Sequence, residues 1–319
     1  MNVSQVTGKT EYDSAPGHRP RGVLGSENEN RSCRPDSRRD ILLPMTLPIW
    51  PNLVTDPTEA DLRKLASIGF RVGDKGTHTS RTMMLSELSD LFQFIPENAA
   101  REIYVRAIIN DNILAKNTHA TRKLTSQRLS ELYSFDLAVP LFRILRLFWE
   151  RDRHGRPLLS LLMALARDPL LRATADCVLK MTPGEELGRQ SMTDAIRAAV
   201  DDRLNESTLD KVVRNTASSW TQSGHLDGRS RKFRKRVSAT PATLANALFL
   251  AYALGMRGDS LLRSAWVRAL DLGEEEAGAL AFDAKRLGFL DMTRGGGVTE
   301  ISFARLLTER EKELLHGTN

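Results

Sequence analysis

From Met84 onward the sequence repeats one pattern: apolar residues return every three or four positions, the spacing of a helix with one buried face. Leu85, Leu88, Leu91 and Phe92 make the first stripe, and Ile103, Ala107 and Ile108 make the second within Ala99–Asn110. Ala120–Tyr133 turns Leu124, Leu129 and Leu132 inward and leaves Arg122, Lys123 and Arg128 outside. Phe142–Trp149 is apolar apart from Arg143 and Arg146, and Leu158–Ala166 is nearly all apolar, as a central buried helix is. Arg167-Asp168-Pro169 breaks the chain, Leu170–Leu179 reads as one further helix, and Thr182-Pro183-Gly184 reads as an internal boundary. The expected class is mainly α. An aromatic content of 6% fits Leu- and Ala-rich helices better than a β-sandwich.

Residues 1–80 differ. Gly, Pro, Ser, Asn and Arg dominate Thr7–Asp40, and no apolar period persists, so little surface is available to offset the entropy of ordering. A poorly ordered extension is expected, with one helix at Pro57–Ile68 that places Leu62, Leu65 and Ile68 together. No apolar signal-peptide core occurs near Met1. The longest uncharged stretch, Val237–Met256, contains Ser238, Thr240, Pro241, Thr243 and Asn246, and it predicts a buried helix rather than a membrane span. Cys33 and Cys177 are the only cysteines and lie far apart. A soluble protein of the reducing cytoplasm, with no membrane partner, is therefore expected.

Two units near the C-terminus share an order of elements. Thr193–Val200 predicts a short helix, with Ile196, Ala199 and Val200 inward. The next helix opens with a capping-box-like pair, Ser207 and Asp210. It carries Leu209, Val212, Val213, Thr216, Ala217 and Trp220 on one side, with Lys211, Arg214, Asn215, Ser218, Thr221 and Gln222 on the other. Gly224 suits a left-handed cap, and Leu226-Asp227-Gly228 begins a turn or short strand. Glu274–Leu287 repeats the scheme with Ala277, Leu280, Ala281 and Ala284 inward, then Phe289–Met292, a Gly295–Gly297 turn and Val298–Phe303. Gly224-His225-Leu226-Asp227 and Gly288-Phe289-Leu290-Asp291 occupy matching places. Helix, turn, helix and hairpin is the order of a winged helix-turn-helix. The expected division is an extension at 1–80, a helical domain at 81–181, a winged-helix-like unit with a basic wing at 182–240, and a second such unit at 241–319.

Catalytic patterns are scarce. Gly8-Lys9-Thr10 has Val3 where a phosphate loop needs glycine, and no strand precedes it. The histidines at 18, 78, 119, 154, 225 and 316 show no metal-binding spacing, and none is paired with a nucleophile in sequence. Asp271, Asp283 and Lys285 could make a nuclease set, but they fall on a helix and its flank, where solvated charge is the simpler account. Cys177 lies in an apolar-faced helix and reads as core. No cofactor, metal site or catalytic group is expected.

The basic cluster stands apart. Arg229, Arg231, Lys232, Arg234, Lys235 and Arg236 put six cations in eight residues, and no acid occurs from Gly228 to Gly258. On a flexible, glycine-flanked wing these side chains would neutralise phosphates and release counterions. Lys211, Arg214, Asn215, Ser218 and Gln222 on the preceding helix are residue types that read base edges and phosphates. The pattern suits DNA and RNA alike, and a charge run meeting an acidic protein is the plainer alternative.

Asp111-Asn112-Ile113-Leu114-Ala115-Lys116-Asn117-Thr118, with Thr121-Arg122-Lys123 and Leu129–Tyr133, resembles the N-terminal signature of the BrxA family of BREX (bacteriophage exclusion) defence systems. Pro157–Leu171 and Lys211–Gly228 extend the resemblance over roughly Met84–Phe303. It implies a small, mostly helical, non-catalytic accessory protein that binds double-stranded DNA beside other BREX-type defence proteins. The long N-terminal extension departs from it. The alternatives are a scaffold subunit of a defence complex and an RNA-binding or transcription regulator.

Overall fold

The computed structural model describes residues 58–316, except 74, 201 and 202. The described residues belong to one compact unit, within which the boundaries expected at 181 and 240 both fall. Its architecture is mainly α, with two small antiparallel hairpins. The part of the expected extension at 1–57 lies outside the described residues.

The helix expected at Pro57–Ile68 forms, and the expectation of poor order fails for the described residues from 69 to 80. Thr58 accepts from Asp61 N–H and Asp61 returns a bond to the Thr58 backbone, a capping box that starts α1 (Glu59–Ile68). Leu65, Ile68 and Phe70 are buried, and Phe70 meets Trp266 at a ring distance of 6.1 Å. A one-turn 3-10 helix at Thr77–Thr79 then plunges into the molecule, with Thr77 and His78 fully covered. The ordering of Thr77–Thr79 comes from distant partners, so no local apolar period announces it.

α2 (Leu85–Phe94), α3 (Arg101–Ile109) and α4 (His119–Tyr133) follow much as their stripes predict. Tyr104 takes the inward place beside Ala107 and Ile108, and Ile103 is partly exposed. α5 (Pro140–Arg151) and α6 (Arg156–Arg167) start with proline in the first turn, where a missing N–H costs nothing. Every residue from Leu158 to Ala166 is buried. Arg143 and Arg146, read as interruptions in an apolar run, are both used. Arg143 bonds Leu306 O and Glu311. Arg146 is buried over the Phe92 ring at 4.1 Å, ion-paired to Glu150 and donating to Ile95 O.

The single helix expected at Leu170–Leu179 is two: α7 (Pro169–Ala173) and α8 (Ala175–Leu179). They part at Thr174, whose hydroxyl donates to Leu171 O and accepts from Trp220 Nε1. α9 (Arg189–Ala199) packs on α10 (Glu206–Gln222). Asn205, rather than Ser207, caps α10, by accepting from Thr208 N–H. β1 (Leu226–Asp227) pairs with β2 (Phe233–Arg234). α11 (Pro241–Ala253) is the buried helix the uncharged stretch predicts: Ala242 to Ala253 are all covered, and it packs on α5 and α6.

α12 (Ala265–Arg268) and α13 (Glu274–Arg286) lead into β3 (Asp291–Gly295) and β4 (Val298–Ser302), and α14 (Glu309–His316) closes the described chain. Gly296 and Gly297 both have positive φ, 58° and 80°, as the tight turn between β3 and β4 requires. The two C-terminal units do end their helices alike. His225 N–H bonds Trp220 O at 3.0 Å and Phe289 N–H bonds Ala284 O at 2.9 Å, each after a left-handed glycine and each burying the next side chain. No helix among the described residues is long and apolar enough to cross a membrane.

Candidate nucleic-acid interface

The hairpin that carries the basic cluster is tied on both sides. Gly184 N–H bonds Arg234 O, Arg234 N–H bonds Glu185 O and Leu187 N–H bonds Lys232 O, so residues 184–187 flank β2 on the edge away from β1. Gly228, at φ 107°, lets the turn close; a Cβ there would strike the Arg231 carbonyl. The segment expected from its flanking glycines to be a flexible wing is thus a fixed hairpin.

That anchoring divides the six cations. Arg234 is buried. Its guanidinium donates to the carbonyls of Val178, His225 and Lys235 and pairs with Asp271, so it is structural and unavailable to a ligand. Arg231 pairs with Glu186 and lies against the Phe233 ring. Arg236 pairs with Glu276 and donates to Asp271 O. Lys232 Nζ is half-buried, bonded to Thr221 Oγ1 at 2.9 Å and Gly228 O at 3.2 Å, and burial holds its ammonium below the usual lysine range. Arg229 and Lys235 are exposed and make no ion pair among the described residues.

α10 divides in the same way. Lys211 and Arg214 are exposed and Ser218 half-exposed along one stripe, without a carboxylate partner among the described residues. Asn215 and Gln222, expected on this outer face, look inward instead. Asn215 Nδ2 donates to His78 O at 2.8 Å, and Gln222 Oε1 accepts from Leu85 N–H at 3.1 Å. The 77–85 segment lies over that side of the helix. Both side chains are engaged in holding it, so neither is free to read bases.

Beneath lies an arrangement that sequence spacing hid. His78 Nδ1 sits 2.8 Å from Asp168 Oδ2, and His78 Nε2 sits 2.8 Å from Ser219 Oγ. The order Asp–His–Ser resembles a nucleophile triad. All three residues are fully buried, and Ser219 Oγ already accepts from Met83 N–H and donates to Asn215 O, so no solute reaches that hydroxyl in this structure. Burial raises the Asp168 carboxyl, but the adjacent His78, with N–H bonds from His78 and Leu171, outweighs it and holds the group below the usual carboxylate range. Asp168 also caps α7 through Leu170 and Leu171 N–H. A Cβ on Gly76 would collide with this carboxylate. The residues are 78, 168 and 219, and only the fold joins them.

Asp271, Asp283 and Lys285 do not assemble. Asp271 serves Arg234 and Val237 N–H, Asp283 pairs with Arg286, and Lys285 donates to Met292 O. Cys177 is half-buried, its Sγ 3.4 Å from Ser191 O, and burial pushes its thiol up. Cys33 lies outside the described residues. No group of three or more His, Cys, Asp or Glu among the described residues is placed to hold a metal.

His225 makes the stability of this region depend on pH. Its Nε2 donates to Ala269 O at 3.0 Å, which leaves Nδ1 as acceptor for Ser223 at 2.9 Å, and the ring sits edge-on to Trp220. Burial pushes its imidazole down to about 4 from 6.5. A histidine depressed in the folded state binds fewer protons than its unfolded counterpart between those values. Stability is therefore full above about pH 6.5 and falls toward pH 4, by on the order of 3 kcal/mol if this group acts alone. Urea midpoints across that window check this: the acid-side loss is expected to shrink by that amount in His225→Gln.

No family model, curated protein or solved structure matches the chain.

Proposed function

We propose that the protein binds double-stranded DNA without catalysis, as an accessory component of a bacterial phage-defence system of the BREX type, with other proteins of such a system as further partners. The DNA-facing residues are Lys211 and Arg214, with Ser218 beside them on α10, and Arg229 and Lys235 on the hairpin. The observation that supports this is charge left over: these four cations are exposed and unpaired among the described residues, while Arg231, Arg234 and Arg236 of the same cluster are matched to Glu186, Asp271 and Glu276. Unpaired surface cations gain most from meeting phosphates, because no internal ion pair must break. A fixed hairpin beside a helix stripe also loses little entropy on binding.

Anisotropy titrations on several duplexes at three salt concentrations test the assignment. Changing Lys211, Arg214, Arg229 and Lys235 together to Ala is expected to weaken all duplexes alike. The slope of log K against log salt should flatten by about 0.9 for each phosphate that the variant no longer neutralises. Arg231→Ala and Arg236→Ala are expected to change the slope less, since a carboxylate already holds each. The internal pairing of half the cluster also favours a second reading, a scaffold subunit whose hairpin is a folding element. Wild-type affinity and slope in the fourfold variant would establish that reading instead.

A further inference from the structure

α3 and α4 form a helical hairpin whose outer groove carries cations with no carboxylate partner among the described residues. Arg122 Nη1 donates to Ile109 O, which sets the end of α3 beside the start of α4. Arg101, at the start of α3, consequently falls toward the C-terminal turn of α4. Each helix gives the groove one stripe: Arg101, Val105 and Ile109 from α3, and Lys123, Ser126 and Ser130 from α4. Arg71 and Arg167 complete a cleft of about 630 Å³, a volume within the range of small-molecule sites.

Its electrostatics are one-sided. Arg71, Arg101, Lys123 and Arg167 make no ion pair with a carboxylate among the described residues. The one acid lining the cleft, Glu131, is taken: it pairs with Arg128 at 2.7 Å and accepts from Thr77 and Gln127. Arg71 and Arg167 both donate to the Glu131 carbonyl, at 3.3 and 3.0 Å, which brings two guanidinium groups together. Burial, and then the charge of Arg71, push Arg167 down to about 10. The hydroxyls of Ser126 and Ser130 have no hydrogen-bond partner among the described residues. Like charges held together beside idle donors are stabilised by an anion of more than one charge, and guanidinium forks match phosphoryl oxygens two at a time.

We propose that this cleft binds a phosphate-bearing ligand of nucleotide size, with its phosphoryl group among Arg71, Arg101 and Arg167 and its organic body along Val105 and Ile109. The arginines converge at one end of the groove, whereas a duplex backbone presents phosphates at a repeated spacing. A free nucleotide and the 5′-phosphorylated end of a strand share the required chemistry.

Thermal melts of the full chain test it, with AMP, a 5′-phosphorylated dinucleotide and the same dinucleotide without its phosphate. A ligand that binds only the folded state raises the melting temperature with concentration. AMP is expected to do so if the source is a free nucleotide, and the phosphorylated dinucleotide alone if it is a strand end; either supports the site. The exposed pair Arg101→Glu and Lys123→Glu should weaken that effect at least tenfold while duplex binding through α10 stays as in wild type, which separates this site from the interface above. Should the charge-reversed protein melt lower by itself, Arg101→Gln with Lys123→Gln gives the same comparison. No stabilisation by either phosphorylated probe, an equal effect of the unphosphorylated one, or stabilisation that survives the substitutions overturns the proposal.

Discussion

A chain beginning at Thr82 is expected to lose its cooperative thermal transition. The truncation removes α1 and with it the buried side chains of Leu65, Ile68 and Phe70. At roughly 1.5–3 kcal/mol for each large apolar side chain buried, that loss alone is about 5–9 kcal/mol. It also takes His78 away from Asp168 and Ser219, and it uncovers the side of α10 that Asn215 presents to His78 O. A domain commands only about 5–15 kcal/mol in total, so these losses compare with all of it. Near-UV circular dichroism and a thermal melt of the truncated and full chains decide the matter. A cooperative melt within a few degrees of the full-length protein would show that residues 58–81 rest on the core without supporting it.

Asp168→Ala tests the centre of that packing with a single side chain. Removing the carboxylate leaves His78 Nδ1 and the His78 backbone N–H buried without their partner, at about 1–3 kcal/mol for each. The same change removes the cap of α7, worth about 1 kcal/mol. For a protein of this size about 2–4 °C is expected per kcal/mol, so the melting temperature should fall by roughly 10 °C or more. His78→Ala should produce a loss of similar size. The double substitution should cost clearly less than the sum, because the two side chains act on each other. Ser219→Ala leaves both Met83 N–H and His78 Nε2 without a partner and is expected to cost about 1–3 kcal/mol for each. Additive losses from His78 and Asp168 would mean that the two are buried neighbours without coupling.

These expectations reverse one reading of the sequence and refine another. Apart from the stripe of Leu62, Leu65 and Ile68, residues up to 80 read as part of a tail because no apolar period continues through them. The order of Thr77–Thr79 comes from Asp168 and Ser219, 90 and 141 residues from His78 along the chain. On α10, the wheel separates Leu209, Val213 and Trp220 from the polar residues, and those three are buried. It cannot divide the polar side again. Asn215 and Gln222 face a second packed segment, while Lys211 and Arg214 face solvent, and a single amphipathic stripe has no signal for a helix packed on two sides.

What the sequence determined by itself was local. Apolar periodicity placed α1 to α4, α10 and α13, because a helix forms where one face can be buried along its length, and continuous apolar runs placed α5, α6 and α11. Gly224 and Gly288 marked two helix ends, and Gly296-Gly297 marked the β3–β4 turn, because backbone geometry there requires positive φ. The tertiary structure decided the use of polar side chains. Within one run of cations, Arg234 became a buried brace, Arg231 and Arg236 became paired, and Arg229 and Lys235 stayed open to solvent. Their carboxylate partners lie from 37 to 45 residues away, on Glu186, Asp271 and Glu276. A charge takes its role from what the fold brings within a few ångströms of it, and the order of residues along the chain does not contain that distance.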